Sequence, residues 1–292
     1  IQGNDLSLRM VAEAEAARMR EANPAQYFER NLHQLGFSDP EHAMLQTIKE
    51  MLDNSLDATE LGKILPELTI EIEDMGEEIT LPSQAGKIRK ADLFRVRVQD
   101  NGIGIMPEKV ARSLGKLLFG SKLFTMKQTR GQQGIGISAV ILYSQLSSLR
   151  PATVISKVAG SEKARRVALK IDVERNEPII VEESDIQWDV EHGTSVEVFL
   201  PGRYDEKLER YIKELSIGNP NARILVMKKI ADTNSEIVVA RTSQIIPREA
   251  HEIKPHLTSV DPGILQRMAE MDDDCRTIAS FLAKHFAVMS PK

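Results

Sequence analysis

The spacing of hydrophobic and polar residues changes several times along the chain, and each change predicts a different element. Apolar side chains recur every three or four positions across residues 44–58, which predicts an amphipathic helix. Its apolar stripe consists of Leu45, Ile48, Leu52 and Leu56. Alternation in residues 68–72 and 93–99 predicts two strands, each with one apolar and one polar face. Residues 75–91 between them contain glycine, proline and scattered charges, which predicts a hairpin tip or loop.

Beyond residue 150 the pattern becomes a series of strands. They are predicted at residues 152–158, 166–173, 178–181 and 194–200, with a helix at 208–215 and another strand at 222–228. Such an order favours an α+β fold, a two-layer α/β sandwich with helices on one face of a mixed, mostly antiparallel sheet.

The chain is expected to divide into three segments. Prolines become frequent near residue 250, and the pattern beyond them is helical and no longer sheet-like. We therefore expect an N-terminal helix or strap at residues 1–30, a compact ligand-binding domain at 31–245, and a linker with the start of a helical domain at 246–292.

Composition narrows the class of protein. The 292 residues are 41% hydrophobic and 28% charged, and the net charge of −5 gives no overall attraction to nucleic acid. Any DNA contact must therefore come from a local patch or from another subunit. The only cysteine, Cys275, excludes an internal disulfide and suits a reducing cytosol, and no apolar run reaches membrane-spanning length. We expect a cytoplasmic protein that does not bind membranes.

Three polar residues share one face of the helix predicted at residues 44–58. Glu50, Asn54 and Asp57 fall at positions i, i+4 and i+7, next to the apolar stripe. This face carries a carboxylate that can accept a proton, an amide oxygen that can bind a hard cation, and a second carboxylate. The set can hold Mg²⁺ and activate a water, although ordinary solvated helix faces carry the same residue types.

A turn with two glycines follows the strand predicted at residues 93–99. Its sequence is Asp100-Asn101-Gly102-Ile103-Gly104, and glycines let a chain turn tightly and approach a ligand closely. Asp100 stands at the strand end, where it could accept a hydrogen bond from an exocyclic amine such as N6 of adenine. Taken alone, Asp-Asn-Gly is also typical of a simple turn.

A second glycine-containing segment, at residues 130–136, leads into a helix predicted through Ser144. Its glycines expose backbone N–H groups and the helix N-terminus adds a positive partial charge, so the segment can form an anion cradle. The spacing is G-x-x-G-x-G and not the G-x-G-x-x-G of dinucleotide-binding folds. Further on, Gly193-Thr194 opens a strand, where a turn glycine and a β-branched residue have an ordinary structural explanation as well.

Together these pieces form an ordered quartet between residues 50 and 194: Glu-x-x-x-Asn-x-x-Asp-Ala, Asp-x-Gly-x-Gly, Gly-x-x-Gly-x-Gly and Gly-Thr. The quartet resembles that of the GHKL ATPases, which include gyrase, MutL, the ninety-kilodalton heat-shock chaperone and histidine kinases. The stretches that look more specifically like the B-subunit family of DNA topoisomerase VI are 24–31, 116–122, 128–139, 142–145, 176–178 and 192–194. The resemblance covers nearly the whole chain and implies the Bergerat fold of the GHKL superfamily.

The resemblance also implies a role for each motif residue. Glu50 would be the general base that polarises the attacking water, Asn54 would ligate Mg²⁺, and Asp57 would support that site. Asp100 would read adenine, and Thr194 would bond toward adenine through a water. Glycines would let base and sugar approach, and a loop from Lys122 would cover phosphates held by backbone amides. The remaining ATP-binding residues implied are Gly102, Gly104, Lys122, Arg130, Gly131, Gln132, Gln133, Gly134, Ile135 and Gly136.

By the same resemblance, the chain would be the ATP-binding and ATP-hydrolysing subunit of a type IIB DNA topoisomerase. ATP and Mg²⁺ would drive homodimerisation of B subunits within an A₂B₂ heterotetramer, and one DNA duplex would pass through a break made by the A subunit. A family lysine that contacts the γ-phosphate comes from a later transducer domain, so we expect a fragment that hydrolyses ATP poorly. The alternatives are a MutL-like repair ATPase and a nucleotide-binding assembly scaffold for a DNA-cleaving partner, with incidental hydrolysis.

Overall fold

The computed structural model describes residues 10–11, 13–19, 21–82, 88–120, 130, 134–231, 233–248 and 253–290, apart from the side chains of residues 41, 82, 88 and 89. The helices in this part of the chain include α1 (Pro24–Arg30), α2 (Pro40–Leu61), α3 (Val110–Gly115), α4 (Gly136–Ser148), α5 (Glu206–Gly218), α6 (Pro262–Glu270) and α7 (Ile278–His285). The strands are β1 (Glu67–Pro82), β2 (Ile88–Gln99), β3 (Ala152–Lys157), β4 (Ala164–Asp172), β5 (Glu177–Ile186), β6 (Gly193–Gly202), β7 (Arg223–Ile230) and β8 (Thr233–Val239).

The strands form one sheet in the order β5-β4-β3-β6-β2-β1-β7-β8. Neighbouring strands are antiparallel except for β1 and β7, which run parallel. The predicted mixed, mostly antiparallel sheet is confirmed. This order places the ends of β2 and β6 side by side in the middle of the sheet, which brings Asp100 next to Thr194.

The two faces of the sheet differ in character, as the alternating pattern predicted. One face is apolar and packs under α2, α3, α4 and α5; its buried side chains include Leu68, Ile70, Ile72, Val96, Val98, Val196, Val198 and Leu200. The opposite face carries charged side chains joined by ion pairs, such as Arg95 to Glu73 at 2.6 Å and Lys229 to Glu73 at 2.7 Å. This asymmetry confirms the two-layer α+β architecture.

Helix α2 lies across the apolar face and positions most of the candidate site. It begins after Asp39, whose Oδ1 accepts the His42 N–H at 3.0 Å, and Pro40 occupies its first turn. Ile48, Leu52 and Leu56 are at most 2% exposed, so the predicted stripe is the buried face. Burying these side chains fixes the rotation of the helix, and thereby the direction of its polar residues.

The loop predicted for residues 75–91 is wrong over most of its length. Strand β1 continues to Pro82 and β2 starts at Ile88, so the two form a long hairpin. Gly76, with φ of +66°, lies where the register shifts between Asp74 and Glu78. The glycine therefore accommodates a bulge within a strand and does not end it.

The described residues after Val239 contain helices and no further strands. Phe281 and Phe286 of this tail are buried and lie with their ring centroids 6.2 Å apart. Within the described part of the chain, no helix is both long enough and apolar enough to cross a bilayer. The division at residues 30 and 245 remains a prediction.

Candidate functional site

Glu50 is half-buried on α2 and is held by neighbours on its own helix. Gln46 Nε2 donates to Glu50 Oε1 at 2.6 Å, one helical turn earlier. Burial raises the pKa of Glu50, and the nearby carboxylate of Asp53 raises it further. A carboxylate with a raised pKa is a better proton acceptor, provided that it stays ionised at the working pH.

The Glu50 carboxylate lies directly against the start of α4. A Cβ at Gly136, the first residue of that helix, would overlap with Glu50 Oε2. Only glycine therefore lets the helix N-terminus and the carboxylate come this close. Two predicted site residues that are 86 positions apart in sequence thus meet in the structure.

Asn54 and Asp57 stand on the following turns of α2. Asn54 Nδ2 donates to the Glu50 carbonyl at 2.7 Å, which leaves the amide oxygen to face a cation. Asp57 Oδ1 lies 3.3 Å from Arg130 Nη1. In the described residues, no group of three or more His, Cys, Asp or Glu side chains could hold a metal. A Mg²⁺ bound here would therefore depend on one amide, waters and substrate phosphates, as is usual for Mg²⁺.

Arg130 was predicted as a nucleotide contact, and the structure places it at the far end of α2. Its Nη1 lies 2.7 Å from Glu60 Oε2, and its Nη2 donates to Asn219 Oδ1 at 2.9 Å. Together with Asp57 these partners hold the guanidinium between α2 and the end of α5. Its predicted contact with nucleotide stays a prediction.

Asp100 is the centre of a buried hydrogen-bond network at the end of β2. Its Oδ1 accepts the N–H groups of Gly102 at 2.8 Å and Thr194 at 3.1 Å, and its Oδ2 accepts the Ser55 hydroxyl at 3.0 Å. The side chain is 6% exposed, and burial raises the pKa of Asp100 to about 6, although the hydrogen bonds act in the opposite direction. Asp100 is thus a fixed acceptor, braced by α2 through Ser55.

Gly102 and Gly104 are predicted to admit a ligand, yet both are also required by the protein's own packing. A Cβ at Gly102 would lie 2.7 Å from the Cβ of Ala58 on α2. Gly104 has φ of +73°, and a Cβ there would overlap with the Lys157 carbonyl. These glycines let the turn after β2 fit between α2 and the end of β3.

Thr194 is tied to Asp100 through its backbone, because its carbonyl accepts the Asp100 N–H at 2.9 Å. Its hydroxyl lies 3.0 Å from the Ser156 hydroxyl. Ser156 also accepts the Ile105 N–H at 2.8 Å, so it joins β3, β6 and the turn after β2.

The start of α4 provides the predicted anion cradle in part. Gly134 has φ of +62°, and its carbonyl accepts the Leu118 N–H at 3.1 Å. Ile135 is buried and, among the described residues, no side chain caps the helix N-terminus. The N–H groups of this first turn are therefore suited to an anionic ligand. Lys122, Gly131, Gln132 and Gln133 lie outside the described residues.

Several site residues were not recognised in the sequence. They are Gln46, Ser55, Ser156 and Tyr211. Tyr211 of α5 lies near the acidic face of α2: burial raises the pKa of its phenol, and the carboxylates of Asp53 and Glu50 act in the same direction. Gln46 could have been found, since it is one helical turn from Glu50. Ser55, Ser156 and Tyr211 depend on tertiary contacts that no local pattern reveals.

Comparison with known proteins agrees with this architecture. Residues 39–203 match the model of the family described as histidine kinase-, DNA gyrase B-, and HSP90-like ATPase. This segment is more than half of the chain and contains Glu50, Asp100, Gly134 and Thr194. The chain belongs to this ATPase family, and the predicted superfamily and fold are confirmed.

Curated relatives are similar over almost the whole chain. The B subunit of type 2 DNA topoisomerase 6 from Archaeoglobus fulgidus is 36% identical over 281 residues, which cover 95% of this chain and 44% of the relative. The protein of the same name from Natronomonas pharaonis is 37% identical over 97% of this chain and 33% of the relative. The chain thus spans less than half the length of these relatives, and it is related to topoisomerase 6 B subunits as predicted.

The contact between Glu50 and Gly136 gives a specific prediction. Gly136→Ala is expected to lower ATP turnover at least about tenfold, because the new methyl group displaces the Glu50 carboxylate while alanine itself favours the helix. The melting temperature should not fall. Steady-state phosphate release and thermal unfolding would measure both effects.

Gly218→Ala is the matched control, since Gly218 is also a helical glycine and a Cβ there would meet nothing within 4 Å. Turnover by Gly136→Ala equal to that of the control would contradict the inferred position of Glu50.

Proposed function

We propose that this chain is the ATP-binding and ATP-hydrolysing part of a type IIB DNA topoisomerase B subunit. The observation that carries the proposal is the contact between the Glu50 carboxylate and Gly136 at the start of α4. The Asp100 acceptor, joined through Ser55 to the helix that carries Glu50, adds a second fixed point. A buried acceptor, an uncapped helix start and a carboxylate beside it suit adenine, a polyphosphate and an attacking water, respectively.

Glu50 would act as the general base in this site. Gln46 holds one carboxylate oxygen, so the other oxygen faces the start of α4, where the terminal phosphate would lie. Glu50 would orient a water and accept its proton as the water attacks that phosphate. The backbone N–H groups at the first turn of α4 would stabilise the negative charge on the phosphate oxygens.

Asn54 would hold Mg²⁺ through its amide oxygen. The donor set fits this ion, because the Asn54 amide nitrogen is bonded to its own helix and a hard cation prefers oxygen ligands. Bound Mg²⁺ would neutralise phosphate charge during hydrolysis. Asp100 would accept a hydrogen bond from the adenine amine, with Thr194 beside it.

In the complete protein, the nucleotide would operate a clamp. ATP would favour a dimer of B subunits by binding it more tightly than the monomer, and hydrolysis would release it. The dimer would admit one DNA duplex to a break made by an A-type subunit in an A₂B₂ assembly. The names of the relatives support these partners. Met10, Val11 and Met19 are exposed near the N-terminus and could contact a second copy.

Sedimentation velocity tests the clamp. A saturating non-hydrolysable ATP analogue with Mg²⁺ is expected to double the sedimenting mass of the wild-type chain and of Glu50→Gln, which keeps the binding groups. Asp205→Asn, an exposed helix-cap variant far from the site, should respond like wild type. An unchanged mass, with occupancy of the site established by calorimetry, would contradict ATP-dependent dimerisation.

A further inference from the structure

The turn between β4 and β5 is braced in an unusual conformation. Asp172 Oδ1 accepts the N–H groups of Glu174 at 2.9 Å and Arg175 at 3.0 Å, which closes the turn. Asn176 follows in the left-handed region with φ of +53° and is 7% exposed. Asparagine tolerates this conformation better than most residues, and its burial requires hydrogen-bond partners for its amide.

Both ends of the Asn176 amide bond to one residue of a distant segment. Its Oδ1 accepts the Leu117 N–H at 3.0 Å, and its Nδ2 donates to the Leu117 carbonyl at 3.1 Å. This pair of bonds fixes the position and the orientation of the Leu117 backbone. An ion pair between Lys116 and Glu177 holds the same segment.

Steric fit reinforces this attachment. Gly115 packs so closely on the next residue of β5 that a Cβ there would lie 2.7 Å from the Pro178 Cβ. The residues Asn176, Glu177 and Pro178 therefore contact Gly115, Lys116 and Leu117 in reverse order. We call this set of contacts the Asn176 clamp.

The other side of the clamped segment touches the start of α4. Leu118, at φ of +57°, donates its N–H to the Gly134 carbonyl at 3.1 Å. Ser138 of the first turn of α4 donates its hydroxyl to the Lys116 carbonyl at 3.0 Å. The segment is thus a bridge: the Asn176 clamp holds one side, and the helix start holds the other.

We propose that Asn176 is a positioning residue for the phosphate cradle, acting through Leu117 and Leu118 on Gly134. This proposal rests on the proposed ATP site and names a residue remote from it that sets its geometry. Anion binding by backbone N–H groups depends on their direction, and hydrogen bonds to ionised groups weaken when that direction is lost. Without the clamp, Gly134 would keep its own conformation less strictly, and the N–H groups that follow it would bind phosphate less well.

Asn176→Gly removes the amide while keeping a residue that adopts positive φ freely. We expect the affinity for a non-hydrolysable ATP analogue to fall about tenfold, as for the loss of one or two buried hydrogen bonds. The affinity for AMP, which lacks the β- and γ-phosphates, should stay within about twofold because the Asp100 network is untouched. Amide hydrogen exchange at Leu117 and Leu118, measured without nucleotide, should become faster.

Asn176→Asp is the second variant, in case the glycine variant fails to fold. It keeps the size of the side chain and still accepts the Leu117 N–H, but its other oxygen faces the Leu117 carbonyl and repels it. It should show the same selective loss of affinity for the ATP analogue.

Asn23→Ala is the matched control. Asn23 caps α1 and donates to the carbonyls of Val173 and Glu174, so it bonds the same turn from the opposite side. Its loss should lower the melting temperature without changing the ratio of the two affinities.

Three results would overturn the proposal. Equal losses of AMP and ATP-analogue affinity would mean that Asn176 only stabilises the fold. Faster exchange at Leu117 with unchanged affinity for the analogue would mean that the clamp does not control the cradle. A wild-type chain that binds neither nucleotide would overturn the ATP site as well, and the exchange data would then still report whether the clamp exists.

Discussion

Glu50→Gln should abolish ATP turnover, with a loss of about 10²- to 10⁴-fold, and leave ATP binding close to that of wild type. The amide has the shape of the carboxylate and can still accept from Gln46, so the contact with Gly136 persists. It cannot accept a proton from water, which removes the general base. Single-turnover phosphate release and equilibrium binding of a fluorescent ATP analogue would separate the two effects.

The stability of this variant has a predicted sign. The raised pKa of Glu50 means that the folded state holds its ionised form at a cost, which is present as pH rises above that pKa. Removing the charge should therefore leave the melting temperature at pH 8 unchanged or higher. An Ala substitution would be less informative, because it also creates a cavity.

Glu209→Gln is the matched control for Glu50→Gln. Glu209 is a partly buried helical glutamate that accepts from Lys228 Nζ and from the Tyr204 hydroxyl, both at 2.6 Å, away from the site. The control should lose some stability and keep its turnover. Normal hydrolysis by Glu50→Gln would remove Glu50 from the mechanism and favour the view that the chain is a scaffold with a different water-activating group.

Asp100→Asn should weaken ATP binding about 100-fold, the second large effect. The Asn oxygen would accept from Gly102 and Thr194, so its nitrogen would point toward Ser55 and the adenine amine, and two donors would then face each other. Buried unpaired donors cost about 1–3 kcal/mol each. Isothermal calorimetry with ATP at pH 8 would measure the loss, and Asp205→Asn should bind normally.

The pKa of about 6 adds two pH effects. Protonation removes the acceptor, so ATP affinity of the wild type should fall as pH decreases through about 6. For stability the sign is opposite: because the folded pKa lies above the ordinary 3.8, Asp100 stabilises the fold below pH 4, and this contribution disappears as pH rises through 6.

The stability of Asp100→Asn follows from this sign. The pKa difference corresponds to a cost on the order of 3 kcal/mol for the ionised side chain at pH 8. Asp100→Asn should therefore be at least as stable as wild type at that pH. A less stable variant that still binds ATP would contradict both the role of Asp100 and the network drawn around it.

The local elements of this fold could be predicted from the sequence because they depend on local periodicity. The stripe of α2 and the strands around residues 96 and 196 have clear spacing, and the glycine-led start of α4 has the composition of an anion cradle. The long β1–β2 hairpin was missed because Gly76 and Pro82 resemble loop residues. A glycine in a bulge and a glycine in a turn look alike in a sequence.

The partners of the site residues could not be predicted in the same way. Ser55 and Asp100 are 45 positions apart, and Asn176 and Leu117 are 59 positions apart. These pairs exist because the strand order brings β6 beside β2 and the β4–β5 turn beside α3. No spacing rule connects residues across such a sheet. The family resemblance supplied roles for Glu50 and Asp100, and it gave no reason to expect the Asn176 clamp.

Helix α2 carries both the carboxylate beside Gly136 and the serine that braces Asp100. These two residues are separated by about 7.5 Å of rigid rod, at about 1.5 Å per residue. Base selection and water activation are therefore mechanically inseparable in this chain. An attempt to re-engineer it for guanine by tilting or sliding this rod would misplace the hydrolytic carboxylate too, so altered nucleotide preference is more readily reached through the strand ends, which can change without moving the rod.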